Sequence, residues 1–502
     1  MNNSIPRSVI FGFLSWLLPF ALTFAATPII VRHLGAAEYG IYVLVLGFIS
    51  YTFAFNIGRA VTKYVAEYHA IGRFDRINEV LSATLLLNLA VGSIGAVILL
   101  ALTNNLVTDI LQIETDLQVK ALTAFYVGAV TLAFWMIGQV FSSILQALGR
   151  FDSFSQITFA TSAVQTIGNV TLAWSDYGVV ALLTWNLFTI VLSGIVFFFA
   201  GQRLLPEFRL NVLPSREVFS LVGRFSGGIV AYQIIANLLL IFERTWVTRQ
   251  LGAESLTYYT VPMMLSFYIH HVVGSLTLVL FPMTSELTTL KNKSALLALY
   301  RRTTKYVCLM VAFMGVTLAV SSREFLSLWL GADFSQRSSW VFVFHVSTYS
   351  LFAILIVAWQ MIEGYGLPFY NAIFNTVSFV ICVSLMITLV APMGITGAAI
   401  GRFASALPIP IFIFLVERRM FGNVLWGFWR QTVLKLGIAG FVCALTQYFI
   451  LSKLTHGWTA LILSGIIGGL IFLTSLLVSN FLDEEERRWF GGFMKRAIAA
   501  RA

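Results

Sequence analysis

Runs of about 20 mostly apolar residues follow one another almost without pause along the chain, the pattern of helices long enough to cross a bilayer. They predict fourteen spans: near 9–31, 40–62, 80–102, 120–145, 155–175 and 179–200 in the first half, 225–248, 256–281, 304–322, 340–362, 369–391 and 395–416 in the second, then 432–451 and 458–480. The polar stretches between them are short. The longest outer ones, around 104–119 and 321–339, leave no room for a soluble catalytic domain.

The polar interruptions recur. Arg32-His-Leu-Gly-Ala after the first span returns as Arg249-Gln-Leu-Gly-Ala after the seventh, 217 residues on, and the same offset sets Tyr259 on Tyr42 and Gly366 on Gly149. Ala66-Glu67 falls two residues from register with Ser285-Glu286. A motif repeated at one spacing implies related halves. The expected domains are therefore 1–217 (spans 1–6), 218–430 (spans 7–12) and 431–502 (spans 13 and 14 with a tail). Six spans is an even number, so both halves enter the membrane from the same side. The fold class is thus an all-α integral membrane protein with about 14 transmembrane helices: two six-helix lobes related by a pseudo-twofold axis along the membrane normal, plus two C-terminal helices, with a cleft between the lobes as the substrate path.

Composition agrees: 58% of residues are hydrophobic and 11% charged, with mean hydropathy +0.86. The net charge of +10 reads as cytoplasmic loops enriched in Lys and Arg rather than as nucleic-acid binding. Of the 32 Lys and Arg, twenty-four fall on the side of the N-terminus and six on the other, with Arg244 and Arg402 inside spans. Both termini are therefore expected in the cytoplasm. The run at 9–31 is too long for a cleavable leader and counts as the first permanent span. The tail from Asp483 to Ala502 reads as a solvated end or a lipid-surface segment. Cys308, Cys382 and Cys443 lie in apolar runs with no paired spacing and read as packing residues.

An ionisable group in a span costs on the order of 2.5–3.5 kcal/mol on insertion scales, so each needs a reason. Glu243 and Arg244 sit six and five residues before Arg249, within the span; they lock helices together or line a cavity where Arg244 meets an anionic substrate. Arg402, ahead of Pro408 and Pro410 on span 12, has the same two readings. Arg32 and Arg249 occupy equivalent outer ends of spans 1 and 7, as a cationic rim or as snorkelling cations. Arg59, at the inner end of span 2, is most simply a positive-inside residue, and His270-His271 on span 8 is either packing or a proton site, with His270 the coupling candidate. Phosphate-binding loops, zinc motifs, nucleophile elbows and Cys-x-x-Cys pairs are absent from the sequence, which argues against ATP-driven transport by this chain alone, and no enzyme activity, metal or cofactor is expected.

In order along the chain, Arg32-His-Leu-Gly-Ala-Ala-Glu-Tyr-Gly-Ile-Tyr, Asn56-Ile-Gly-Arg with Lys63-Tyr-Val-Ala-Glu, Leu145-Gln-Ala-Leu-Gly-Arg-Phe, and Glu243-Arg244 before Leu251-Gly252 resemble the polysaccharide transporters, or lipid-linked oligosaccharide flippases of the Wzx type. That family lies in the superfamily of MATE drug exporters and the lipid II flippase. The likeness covers nearly the whole chain. It departs at Glu243, where Asp is commoner, and at Asn56, where an acid is frequent. The resemblance implies a flippase that moves undecaprenyl-diphosphate-linked oligosaccharide across the bacterial cytoplasmic membrane. Its cationic cleft would be supplied by Arg244, Arg402, Arg32, Arg249 and Arg59, and its partners would be membrane lipids and the pathway's glycosyltransferases and polymerase. The alternative is a MATE-like exporter of small molecules driven by an ion gradient, which needs an acidic cavity for which Glu243 is the strong candidate.

Overall fold

A computed structural model of the chain describes residues 4–53, 55, 57–206, 214–277, 280–454 and 457–481. Asn56 and the tail from Asp483 to Ala502 lie outside the described residues. Every element among the described residues is helical. Two compact units, Met1–Thr260 and Val261–Ala502, divide the chain.

The first unit holds α1 (Ser4–Leu34), α2 (Ala36–Phe48), α3 (Arg59–Ala70), α4 (Phe74–Asn105), α5 (Thr115–Ala147), α6 (Phe151–Trp174), α7 (Gly178–Leu204) and the first part of α8 (Arg216–Thr277). α5 packs on α4 and α7, and α1 lies along α6. A core of this unit gathers Ala60 and Val61 of α3, Val80 and Leu81 of α4, and Val140 and Ile144 of α5, all fully buried. In the second unit, α9 (Leu280–Thr289), α10 (Lys293–Val320), α11 (Ser322–Leu330), α13 (Phe369–Ala404) and α14 (Ile409–Phe421) pack around α12 (Ala332–Gly364). The pair α15 (Trp426–Lys453) and α16 (Trp458–Val478) joins α10 through a cluster of Cys308, Ala439, Cys443, Phe472 and Leu476. All three cysteines are buried and free.

Nine segments of the described residues are long and apolar enough to cross a membrane. One of them, Phe369–Phe421, is 53 residues, about 80 Å of helix, and it breaks at Gly394 into two crossings. α8, at 62 residues, is likewise two crossings broken at Gly252. With the crossings of α2–α3 and α6, the described residues accommodate the expected fourteen.

Span 2, expected as one helix over 40–62, is instead interrupted. A π turn, Ile49–Phe53, follows α2, and α3 starts again at Arg59. The backbone comes close to α5 at the break: a Cβ on Gly58 would lie 2.3 Å from Ser143 Oγ. The segments 104–119 and 321–339, expected as loops, are also folded, into a second π turn, Leu106–Ile110, and into α11 with the first turns of α12.

The repeated Leu-Gly-Ala motif marks the same local event twice. Gly35 (φ 78°, ψ 158°) and Gly252 (φ 82°, ψ 168°) adopt one conformation, in a region open to glycine and costly for other residues. The two copies meet. Thr257 Oγ1 donates to Ala36 O at 2.6 Å, and a Cβ on Gly40 would fall 1.9 Å from Ala253 O. Glu38 of the first copy pairs with Lys120 of α5 and accepts from Val179 N at the start of α7, so one carboxylate ties three helices.

At the far end of the second unit, Glu417 is fully buried. Its carboxylate accepts from Tyr300 Oη of α10 at 2.9 Å, from Trp429 Nε1 of α15 at 2.6 Å and from Leu425 N at 2.8 Å. Replacing it strands three buried donors. Glu417→Ala should therefore cost about 3 kcal/mol or more, against about 1 kcal/mol for Tyr300→Phe, which removes a single bond. Thermal unfolding of the detergent-solubilised protein checks this, and equal shifts for the two variants would show that the carboxylate is not the hub.

Candidate functional site

Glu243 and Arg244 lie in the first part of α8, two turns before its break at Gly252, and both are buried, with 0% and 5% exposure. Successive residues on a helix diverge by about 100°, so the two side chains leave α8 in different directions. Arg244 runs across α2 at Gly47, where a Cβ would lie 2.5 Å from its Nε and 2.6 Å from its Cδ. Its guanidinium carbon then sits 4.7 Å from the ring centroid of Tyr51, on the π turn, and Nη1 donates to Leu240 O at 3.2 Å. A bare glycine and an aromatic face thus form the seat of an in-membrane cation. A π turn places one extra residue in the helical ladder, and here it presents Tyr51 to that cation.

The second unit seats Arg402 similarly. The side chain is 8% exposed; Nη2 donates to Tyr349 Oη at 3.4 Å, and its guanidinium carbon lies 5.6 Å from the Tyr349 ring and 5.9 Å from the Phe352 ring. Tyr349 meets Phe267 edge-on at 5.2 Å, and Phe267 in turn stacks on His270 at 5.8 Å and touches His271 at 4.6 Å. His345, fully buried, lies 6.3 Å from Tyr349. Arg402 and His270 therefore belong to one aromatic-walled cluster. His345, Tyr349 and Phe352 were not singled out from sequence, although their spacing of i, i+4 and i+7 on one helix face was visible there.

The other predicted cations are placed differently. Arg249 is exposed and donates from Nη1 to Asp109 O and Ile110 O, both at 3.2 Å, closing the end of the π turn Leu106–Ile110, where positive charge is favoured. Arg32 is exposed in the last turn of α1, beside a His33 that stacks on Trp174 at 6.0 Å. Arg59 is exposed at the first position of α3. A buried uncharged network in the first unit also escaped sequence reading: Tyr42 Oη accepts from Asn186 at 3.0 Å and Asn169 at 3.3 Å, and the two amides bond at 2.9 Å.

Helices that cross repeatedly, breaks at glycines, and arginines held inside the spans define a multi-pass membrane protein of transporter architecture. Solved structures share that fold. An inward-facing MATE multidrug transporter of the MOP superfamily matches at TM-score 0.70 with 15% identity, covering 82% of this chain and 98% of that one. The lipid II flippase MurJ, in an inward closed conformation, matches at TM-score 0.65 with 13% identity, covering 92% and 98%. Residues 29–339 match the model of the polysaccharide biosynthesis protein family, and the chain belongs to that family. Among its relatives are the "Putative O-antigen transporter" of Shigella flexneri, 21% identical over 79% of this chain and 94% of its own, and the "Uncharacterized membrane protein EpsK" of Bacillus subtilis strain 168, 22% identical over 90% of each.

Gly47 is the most direct handle on the Arg244 seat. Gly47→Ala places a methyl where Nε and Cδ now lie, so the guanidinium must leave Tyr51. The expected outcome is a transport loss comparable with that of Arg244→Ala at equal protein abundance. Gly47→Ala with full transport, beside an inactive Arg244→Ala, would show that the seat on Tyr51 does not matter.

Proposed function

We propose that the chain is a flippase that moves undecaprenyl-diphosphate-linked oligosaccharide units from the inner to the outer leaflet of a bacterial cytoplasmic membrane, by alternating access, with both termini in the cytoplasm. The observation that carries this reading is the pair of guanidiniums, Arg244 and Arg402, buried within spans against aromatic faces in a chain of a polysaccharide biosynthesis family. A planar guanidinium offers paired N–H donors that match phosphate oxygens, and in low dielectric that match is strong. Arg32, Arg249 and Arg59, exposed at helix ends, would draw the anionic headgroup toward the protein from the two sides. An apolar groove of about 520 Å³ between α10 and α16, walled by Leu309, Met310, Phe313, Ile466 and Leu470, has room for an aliphatic chain. One relative is named as an O-antigen transporter and one structural neighbour is a lipid II flippase, both in keeping with a lipid-linked glycan. Glycosyltransferases and a polymerase would be its pathway partners.

In cells lacking the protein, lipid-linked oligosaccharide should accumulate in the inner leaflet, as read with an impermeant label. Wild type should restore the outer-leaflet fraction, while Arg244→Ala and Arg402→Ala at equal abundance should not. Rescue by both variants would remove the arginines from the mechanism. Unchanged leaflet distribution in the deletion, in a host without a second flippase, would refute the function itself.

Energy can come from the membrane potential. Outward movement of negative charge across an inside-negative membrane gains about 2.3 kcal/mol per charge per 100 mV. Collapse of the potential at constant pH gradient should therefore slow transport in vesicles. Transport that survives full collapse and stops only when the proton gradient is removed would point instead to proton coupling. A second reading, ion-driven export of small molecules, is favoured by one feature, the fully buried carboxyl of Glu243, and by the fold shared with MATE transporters.

A further inference from the structure

Between α5, α6 and α7 of the first unit lies a cavity of about 330 Å³, within the range of about 300–1,000 Å³ usual for small-ligand sites. Eight of its fourteen lining residues carry a hydroxyl or an amide, among them Gln139, Ser142, Thr158, Ser162, Gln165 and Ser193, and none carries a charge. Three aromatic rings, those of Trp135, Phe154 and Phe197, complete it.

The space is open because α5 and α7 approach through glycines. A Cβ on Gly138 would lie 3.7 Å from Gly194 Cα, and one on Gly194 would lie 3.6 Å from Gly138 Cα, so backbone alone forms that wall. Several hydroxyls are spoken for by their own helices: Ser142 Oγ donates to Gln139 O at 3.1 Å and Thr189 Oγ1 to Asn186 O at 2.9 Å. Gln139 Oε1, by contrast, is buried without a hydrogen-bond partner. At mid-helix depth a polar wall of this kind is costly unless something polar fills it.

The lining also says what that something is. A diphosphate would want Arg or Lys, a cationic drug would want a carboxylate, and a polyprenyl tail would want no polar group; none of these fits a neutral wall of amides, hydroxyls and aromatic rings. A sugar ring fits. It presents hydroxyls that both donate and accept around its rim, and an apolar C–H face that packs on an aromatic ring. We infer that this cavity is a glycan subsite, which holds a sugar of the lipid-linked substrate through Gln139 and Gln165 with a ring face against Trp135. The inference rests on the flippase reading above, and it separates headgroup recognition into two parts: phosphate to the buried arginines, sugar to an uncharged pocket within one unit.

The test uses the full chain in nanodiscs loaded with the polyprenyl-diphosphate lipids extracted from its own host, both bare and glycosylated, together with phosphatidylglycerol. Native mass spectrometry reads which lipids stay bound. Wild type should retain glycosylated over bare polyprenyl diphosphate by about tenfold, the ratio that one or two net hydrogen bonds supply. Gln139→Leu combined with Gln165→Leu should bring that ratio to within about twofold of unity while still retaining the bare lipid, which shows that the protein is folded. Gly194→Leu, which leaves every polar group in place and fills the cavity, should do the same. A wild-type protein with no preference for the glycosylated lipid, or variants that keep the preference, would overturn the glycan subsite while leaving the flippase reading intact. A wild type that holds neither polyprenyl lipid above phosphatidylglycerol would overturn both.

Discussion

The structure depends on one constraint: inside a bilayer no water is available to satisfy a polar group, so each must find its partner in the protein. Helices answer this for the backbone, and several polar side chains within spans have specific partners. Glu417 is met by a phenol, an indole and a backbone amide. Arg244 lies on Gly47 and Tyr51; Arg402 lies between Tyr349 and Phe352. Tyr42, Asn169 and Asn186 bond to one another. These solutions differ in kind. The acceptors of Glu417 are used up, which suits a fixed joint between α10, α14 and α15. The arginine seats rest instead on aromatic faces, and this distinguishes them from the glutamate joint.

The duplication expected from three short matches extends into the helix boundaries. α1 ends at Leu34 and the first part of α8 reaches Leu251; α5 starts at Thr115 and α12 at Ala332; α7 ends at Leu204 and α14 at Phe421. Each pair is separated by 217 residues. Gly149 and Gly366, also in register, both have positive φ. A third Leu-Gly-Ala, at 330–332, gives Gly331 nearly the same backbone angles as Gly35 and Gly252, although its counterpart in the first half is Glu114. The motif there follows from local chemistry, a glycine that lets the chain turn sharply into a new helix, and not from its place in the repeat.

Function as proposed draws on the same separation of polar types. Two buried arginines within spans lie on aromatic faces, and a separate set of uncharged polar groups lines the cavity of α5, α6 and α7. A lipid-linked glycan is itself divided into an anionic linkage, a neutral polyol and an aliphatic tail, and the chain offers chemistry suited to each. The groove between α10 and α16 would complete the set.

Much was legible in the chain itself. Hydropathy and length determine the all-helical membrane class and the fourteen crossings, because each span is a local property of some twenty consecutive residues. The isolated ionisable residues Arg244, Arg402, His270 and Glu243 stand out for the same reason: they interrupt apolar runs. What no local pattern contains is the identity of the facing residue. That Gly47 forms the bed of Arg244, that His345 and Tyr349 join Arg402, that span 2 breaks where Gly58 meets α5, and that eight scattered hydroxyls and amides line one cavity were decided by how helices distant in sequence pack. A side chain's neighbours across a helix interface depend on rotation and crossing angle, quantities set by the whole assembly of packed surfaces and by no single stretch of sequence.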